Sequence, residues 1–212
     1  MRLRLAPVAT LAVAATFASA HALAAQQSAL SITAGEVVGD DRFNFMTGWA
    51  FTTSNTITVT ALGLWDEGGN GLTRAYQVGI WNAGGTLRVS GTVPERESGM
   101  LIDGFRFANV GSTVLSPGSY VIGALYPDDD DRFVHEASVT MAQGITHDGG
   151  RFRFGAGFAF PTTAPNPIFE AGYFGPNFRF TTAVIPEPGT WALVGTGLLG
   201  LGGLALRRRA SA

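Results

Sequence analysis

The most concentrated group of side chains that could bind a ligand is a run of four carboxylates, Asp128, Asp129, Asp130 and Asp131. Adjacent carboxylates repel one another at neutral pH, and a bound divalent cation would relieve that repulsion. A solvated loop is the more common explanation, because runs of acidic residues usually face water. Calcium is therefore a hypothesis for this loop, weighed against a loop that binds nothing.

A second acidic loop contains Asp66 and Asn70, whose side-chain oxygens are also suitable calcium ligands. A calcium loop of the EF-hand type closes with a bidentate glutamate, but the position eleven residues after Asp66 is Gln77. A polar hairpin turn explains this segment with fewer assumptions. We expect no cofactor other than calcium.

Two histidines, His135 and His147, follow the N-terminal segment, and Asp148 comes directly after the second. A Ser-His-Asp triad on a strand-turn-helix elbow needs a Gly-x-Ser-x-Gly motif, and the sequence has none. The patterns place His135 in a strand and His147 in a turn, without the spacing of metal ligands. We therefore expect no enzyme. A glycosidase pair of carboxylates depends on separation in space, so a small secreted hydrolase stays an alternative.

Aromatic side chains could stack on sugar rings, and the candidates are Trp49, Trp65, Tyr76, Trp81 and Tyr173. Aromatic residues in the strands of a sandwich are more often part of the core, so we expect Trp65 and Trp81 to be buried. The segment Arg151–Phe154 alternates charge with aromatic rings, which predicts a half-buried edge strand rather than a binding stripe.

The elements that must position these residues are strands. The segment Thr56–Trp65 alternates polar and apolar residues, and Tyr76–Trp81 repeats that period before a Gly-rich turn and a second strand, which predicts a hairpin. Further strands are predicted at Phe43–Phe51, Leu101–Phe107, Tyr120–Tyr126, Arg132–Thr140, Arg151–Phe154 and Phe178–Thr182. No window of 12 residues keeps a helical period with caps at both ends. Residues 26–183 should form an all-β domain, a single antiparallel sandwich or jelly roll.

The segment Leu115–Tyr120 reads Leu-Ser-Pro-Gly-Ser-Tyr and leads into one of these strands. A turn of this type predicts a tyrosine corner, in which the phenol of Tyr120 binds the backbone of the turn. This feature stabilises Greek-key folds and carries no catalytic implication.

The charge of the chain is distributed unevenly. Five of the 14 arginines lie in the end segments, whereas all 16 acidic residues lie between Glu36 and Glu187. An acidic domain without grouped basic residues argues against nucleic acid as a partner. The chain has no cysteine, which excludes thiol nucleophiles, thiolate zinc sites and iron–sulfur clusters.

The N-terminal segment has the composition of a secretory signal. Arg2 and Arg4 precede an uncharged stretch, Leu5–Ala20, and small residues continue to Ala25. We predict a signal peptide over residues 1–25, recognised by the secretion machinery. Cleavage after Ala24 is favoured over cleavage after Ala20.

The C-terminal segment, residues 184–212, has three parts. Pro186, Glu187 and Pro188 hold the chain extended, because proline fixes the backbone and removes a donor. Trp191–Leu206 is an uncharged run of 16 residues, about 24 Å long as a helix, which is slightly short for a membrane. Arg207, Arg208 and Arg209 follow it and should stay on the cytoplasmic side. We predict a single membrane helix that leaves the preceding domain outside the cytoplasm.

This tail resembles the PEP-CTERM sorting signal, with Ile185 where valine is commoner. The resemblance covers about 25 residues. It implies recognition by exosortase, a membrane-embedded cysteine protease–transpeptidase of Gram-negative bacteria that make exopolysaccharide. It also implies that Pro186, Glu187 and Pro188 are the recognition element, that Trp191–Leu206 is the membrane helix, and that the three arginines stop the transfer.

The domain between the ends resembles a bacterial β-sandwich domain of unknown function found in exported proteins. The matching stretches are Gly48–Phe51, Leu62–Trp65, Val78–Trp81, Gly84–Leu87 and Pro117–Val121. The resemblance implies no established activity. We expect an inner-membrane-anchored precursor that becomes a cell-surface or matrix protein. Its expected role is structural or adhesive, in association with exopolysaccharide, and a carbohydrate-binding module is an alternative.

Overall fold

A computed structural model of the chain describes residues 25–38, 45–127, 131–155, 157–163 and 172–182, together with 195, 197 and 198. The predicted signal peptide lies outside the described residues except for Ala25. The sorting residues Pro186, Glu187 and Pro188, the arginines 207–209 and the carboxylates Asp128, Asp129 and Asp130 also lie outside them. Gly195, Gly197 and Leu198 are helical. In the described part of the chain, no helix has the length and hydropathy needed to cross a membrane.

The prediction of an all-β antiparallel domain is confirmed. The strands are β1 (Gln27–Ser28), β2 (Leu30–Val38), β3 (Phe45–Thr53), β4 (Ile57–Trp65), β5 (Tyr76–Asn82), β6 (Leu87–Val93), β7 (Met100–Ile102), β8 (Phe105–Leu115), β9 (Gly118–Tyr126), β10 (Phe133–Met141), β11 (Ile145–Phe154), β12 (Tyr173–Phe174) and β13 (Pro176–Thr182). One short 3-10 turn, Glu67–Gly69, follows β4.

The strands form two five-stranded sheets and one three-stranded sheet. The β4 sheet has the order β1-β13-β4-β8-β7, the β3 sheet has the order β11-β3-β9-β5-β6, and the β10 sheet has the order β12-β10-β2. The rings of Trp49 and Phe51 from β3 pack on the ring of Phe178 from β13. The indole N–H of Trp49 also donates to the carbonyl oxygen of Pro176 at 2.8 Å. Aromatic side chains and one buried hydrogen bond therefore join the β3 sheet to the β4 sheet.

Both faces of β3 are covered, which explains why its residues are buried almost without interruption. One face carries large core side chains such as Trp49 and Phe51. The other face carries small residues, among them Gly48 and Ala50, and a segment formed by residues 157–163 packs over this side of the sheet. We call residues 157–163 the cover segment.

Local signals predicted the β5–β6 hairpin and the tyrosine corner correctly. The turn after Asn82 is closed by the N–H of Gly85, which donates to the Asn82 carbonyl at 2.9 Å. The hydroxyl of Tyr120 donates to the carbonyl oxygen of Ser116 at 2.8 Å. Trp81 is buried as expected, and Trp65 is half-buried against the core.

The prediction of one strand over Leu101–Phe107 is wrong, because the chain turns back in the middle of that segment. Asp103 and Gly104 both have positive φ, 51° and 80°, and Ile102 pairs with Phe105 across the turn. Two positive φ values at an Asp-Gly pair match the tight hairpin turn that joins twisted strands. The segment therefore belongs to β7 and β8.

The prediction of a turn at His147 is also wrong, since β11 starts at Ile145 and includes this residue. The pairing of β11 with β3 shifts between His147 and Gly150, where β11 has one residue more than β3. Gly149 adopts φ 94°, which glycine tolerates because it has no Cβ. A β-bulge thus lies where the Gly-rich sequence indicated a turn. Residues 151–154 do lie on an edge strand, as predicted.

Candidate functional site

Asp66 is part of a buried ion pair rather than an open loop. Its carboxylate accepts from Nε of Arg106 at 2.7 Å, and the side chains of Asp66 and Arg106 are only 1% and 6% exposed. The N–H of Gly71 donates to both carboxylate oxygens, at 3.2 and 3.0 Å. Arg106 also donates to the carbonyl oxygens of Gly69 and Gly99. These contacts hold the loop after β4 against the β7–β8 hairpin.

The ion pair bears on the calcium hypothesis for this loop. Calcium takes six to eight oxygen ligands, so Asp66 would have to give up its bonds to Arg106 and Gly71 before it could bind the ion. A guanidinium beside the carboxylate also repels a second cation. Asn70 is exposed nearby. Calcium binding by Asp66 and Asn70 stays a prediction, and the described contacts give Asp66 a structural role.

Asp131, the one described residue of the Asp128–Asp131 run, lies beside the segment that follows β4. Asp131 accepts from the N–H of Thr73 at 2.8 Å and from its hydroxyl, and Arg132 contacts Glu67 at 2.6 Å. These contacts satisfy Asp131 and Glu67 with donors from the protein itself. Burial raises the pKa of the neighbouring Tyr126 phenol well above its ordinary value, and Tyr76 and Asp131 add to the rise. Calcium binding by the Asp128–Asp131 run stays a prediction.

A cleft lies between the β3 sheet and the cover segment. Trp81 packs on the rings of Phe158 and Phe160, with centroids 5.3 and 6.2 Å away. Phe152 of β11 and Thr163 exchange two backbone hydrogen bonds, which fix the cover segment to the edge of the sheet. The cavity has a volume of about 320 Å³ and is lined by Ala50, Ala83, Ser119, Tyr120, Val121, Asp148, Arg151, Phe160, Pro161 and Thr162.

The polar end of the cleft is held by a chain of hydrogen bonds across three strands. The Thr52 hydroxyl donates to the Asp148 carboxylate at 2.7 Å. Ser119 and Thr52 have their hydroxyl oxygens 3.1 Å apart, and Ser119 is the donor because the single Thr52 proton is already used. Arg151 donates from Nη1 to the Gly150 carbonyl at 2.7 Å. A carboxylate, a guanidinium and a hydroxyl therefore line the cleft, and the carboxylate and the hydroxyl are linked through Thr52.

The bulge in β11 explains why Asp148 and Arg151 both line this cleft. In a regular strand, residues three apart lie on opposite faces of the sheet. The extra residue between His147 and Gly150 changes that alternation. Sequence reasoning noted Asp148 only as a neighbour of His147 and missed the cleft, because Thr52 and Ser119 come from β3 and β9. The Gly149-Gly150 pair was the one local signal of the bulge.

His147 is packed among aromatic rings of the core. Its ring centroid lies 5.3 Å from that of Phe174 and 6.2 Å from that of Trp49. Burial lowers the pKa of His147, while Asp148 opposes the shift and Arg151 adds to it. Asp148 itself accepts from Thr52. The imidazole is thus placed as a neutral core group. His135 lies in β10, the strand predicted for it, opposite Glu36 of β2.

Comparison with known families identifies the tail. Residues 184–209 match the PEP-CTERM protein-sorting motif, which confirms the predicted sorting signal. No curated protein and no solved structure matches the chain. The motif indicates an exported, surface-targeted protein that is sorted by exosortase.

Proposed function

We propose that this chain is a non-catalytic surface or matrix protein whose β-sandwich makes structural or adhesive contacts with the exopolysaccharide of the same cell. A signal peptide over residues 1–25 passes the chain to the secretion machinery. The helix 191–206 then holds the precursor in the inner membrane, with arginines 207–209 in the cytoplasm. Exosortase cleaves near Pro186–Pro188 and leaves the sandwich on the cell surface or in the matrix.

The observation that carries this proposal is the position of the motif relative to the fold. The last strand of the described residues, β13, ends at Thr182, and the motif begins at residue 184. The other end of the sandwich starts with β1, which pairs with β13 itself. Removal of both end segments therefore leaves every described strand in place, so processing at the tail delivers an intact domain.

Processing can be tested in a Gram-negative host that carries an exosortase. The full-length chain and a variant with Pro186, Glu187 and Pro188 replaced by alanine are expressed with an epitope at residue 26. We expect the first to yield a shorter, surface-accessible product and the second to stay in the inner membrane at full length. Deletion of the exosortase should have the same effect as the alanine variant. Equal processing of both chains would contradict the sorting mechanism.

A second candidate function is carbohydrate binding in the cleft. A volume of about 320 Å³ lies at the small end of the range for ligand pockets. Asp148 and Arg151 offer acceptors and donors for sugar hydroxyls, and Phe160 and Pro161 offer apolar surface for the C–H groups of a ring. Hydrolysis by the usual mechanism needs two carboxylates. Among the described residues that line the cleft, Asp148 supplies one carboxylate and Arg151 one guanidinium, which favours binding over a glycosidase.

Binding can be measured with a glycan array and then by calorimetry on the processed protein. We expect Arg151→Gln and Asp148→Asn to weaken binding at least tenfold. Arg88→Gln is the control, since Arg88 is an exposed arginine of β6 that does not line the cleft. If the protein bound no sugar on the array, or if all three variants bound a sugar with equal affinity, the cleft would not be a sugar site. The sorting proposal would be unaffected by either result.

A further inference from the structure

Three side chains from two neighbouring strands form a compact group on the β10 sheet. Glu36 of β2 and His135 and Glu136 of β10 each offer one ligand atom, and these atoms lie within 4.8 Å of one another. Nε2 of His135 is 3.7 Å from a carboxylate oxygen of Glu36. The imidazole is 16% exposed and the Glu36 side chain is 70% exposed, so the group opens to solvent from a partly buried base.

A bulge brings these three residues to the same side of the sheet. Adjacent residues of a regular strand point to opposite faces, so His135 and Glu136 would normally be separated. Glu136 instead adopts φ 48°, and β10 gains one residue over β2 between His135 and Ser138. Gly35 lies opposite, where a Cβ would overlap the Val134 side chain. The backbone of β10 thus departs from regular geometry where the three ligand atoms converge, and β2 has a glycine opposite this point because a side chain there would not fit.

A cross-strand polar contact explains only part of this arrangement. Polar side chains that face each other on neighbouring strands interact favourably, which accounts for Glu36 beside His135. The carboxylate of Glu136 repels that of Glu36. The backbone of Glu136 is also left-handed, a conformation that non-glycine residues rarely adopt. A divalent cation between the three side chains would convert that repulsion into attraction.

The donor set selects the class of ion. One imidazole nitrogen and two carboxylate oxygens are ligands for zinc and other first-row divalent metals. Calcium prefers six to eight oxygen ligands over an imidazole nitrogen. Three protein ligands leave at least one coordination position for water or for a ligand from another molecule. We propose that Glu36, His135 and Glu136 bind one divalent transition-metal ion, which links β2, an edge strand, to β10.

The proposal is tested with zinc chloride on the full-length protein, purified without a polyhistidine tag. Calorimetry should show one zinc ion per chain. Thermal unfolding should shift to higher temperature with zinc, because a ligand that binds only the folded state stabilises it. Glu136→Gln and His135→Gln should each lower zinc affinity at least tenfold. Glu95→Gln removes an exposed carboxylate elsewhere on the surface and should leave affinity unchanged.

Cobalt provides a readout that does not depend on stability. Cobalt bound through an imidazole nitrogen should give a visible absorption spectrum that His135→Gln changes and Glu95→Gln does not. Glu136→Gln keeps the shape of the side chain, so its effect separates lost ligation from misfolding. Equal zinc affinity in the unmodified protein and in both ligand variants would overturn the proposal. Binding of calcium in preference to zinc would overturn it as well.

Discussion

Removal of Arg106 should expose how strongly the fold depends on one buried ion pair. Arg106→Met keeps an unbranched apolar stem but removes the guanidinium, and it leaves the Asp66 carboxylate in a site that is 1% exposed, without its cation. The substitution also removes the donors to Gly69 and Gly99, so the loop after β4 loses its hold on the β7–β8 hairpin. The reverse change, Asp66→Asn, leaves the guanidinium buried without an anion.

The expected magnitude follows from burial. Loss of one partner of a buried pair costs about 3–5 kcal/mol of unfolding free energy, because the remaining charge is uncompensated. For a domain of this size, that corresponds to a decrease of about 6–20 °C in Tm. The double variant Arg106→Met/Asp66→Asn leaves no buried charge. Its loss should therefore be smaller than the sum of the two single losses by at least about 1 kcal/mol.

The chain supplies a matched control for the assay. Arg132 contacts Glu67, which lies in the same loop as Asp66, but the side chains of Arg132 and Glu67 are 47% and 42% exposed. Arg132→Met should cost less than about 1 kcal/mol, because water and salt screen an exposed pair. Urea unfolding followed by tryptophan fluorescence measures all four variants. The reasoning would be refuted if Arg106→Met and Arg132→Met had the same effect, or if the two single losses were additive.

Three further variants test packing, the tyrosine corner and a buried imidazole. Gly48→Ala should lower the free energy of unfolding in urea by about 3 kcal/mol, because the added Cβ would overlap the Ile122 carbonyl oxygen. Gly111→Ala is the control and should change stability by less than about 1 kcal/mol, since a Cβ at Gly111 has no atom within 4 Å. Equal effects of the two substitutions would contradict the packing argument. Tyr120→Phe should cost about 1 kcal/mol by the same measurement, and no loss would show that the corner bond contributes nothing. Burial lowers the pKa of His147 from 6.5 in the folded protein, so as pH decreases the imidazole takes up a proton more readily in the unfolded chain than in the folded one. The free energy of unfolding should therefore fall as pH decreases below about 7. His147→Gln should reduce that slope in urea titrations between pH 7.5 and 5.5, and an unchanged slope would contradict this assignment.

Features that depend on neighbouring residues were predictable from the sequence. The β5–β6 hairpin and the Tyr120 corner each lie within a short segment whose turn residues determine the geometry. The sorting tail is likewise a local pattern, and it was identified on its own residues. The Asp103-Gly104 turn was equally local, and its positive φ values show that the Asp-Gly signal should have divided the predicted strand.

Features that depend on register were not predictable in the same way. The sequence alone offers a polar turn or a calcium ligand for Asp66 and no ion pair, because its partner Arg106 lies on β8, far along the chain. The bulges near His147 and Glu136 change which residues share a face, so strict alternation assigns Asp148 and Glu136 to the wrong side. The cleft and the proposed transition-metal site both lie at such irregularities.

The position of β13 has a mechanical consequence for a protein joined to other material through its C-terminal tail. The described fold ends at Thr182 of β13, and β13 is bonded along one edge to β4 and along the other to β1. Because β13 is an interior strand, a pull along its axis is borne by hydrogen bonds on both edges, which are loaded in shear. Trp49 adds a further bond to Pro176 at the far end of the strand. Backbone hydrogen bonds on both edges therefore support the strand at which the described fold ends.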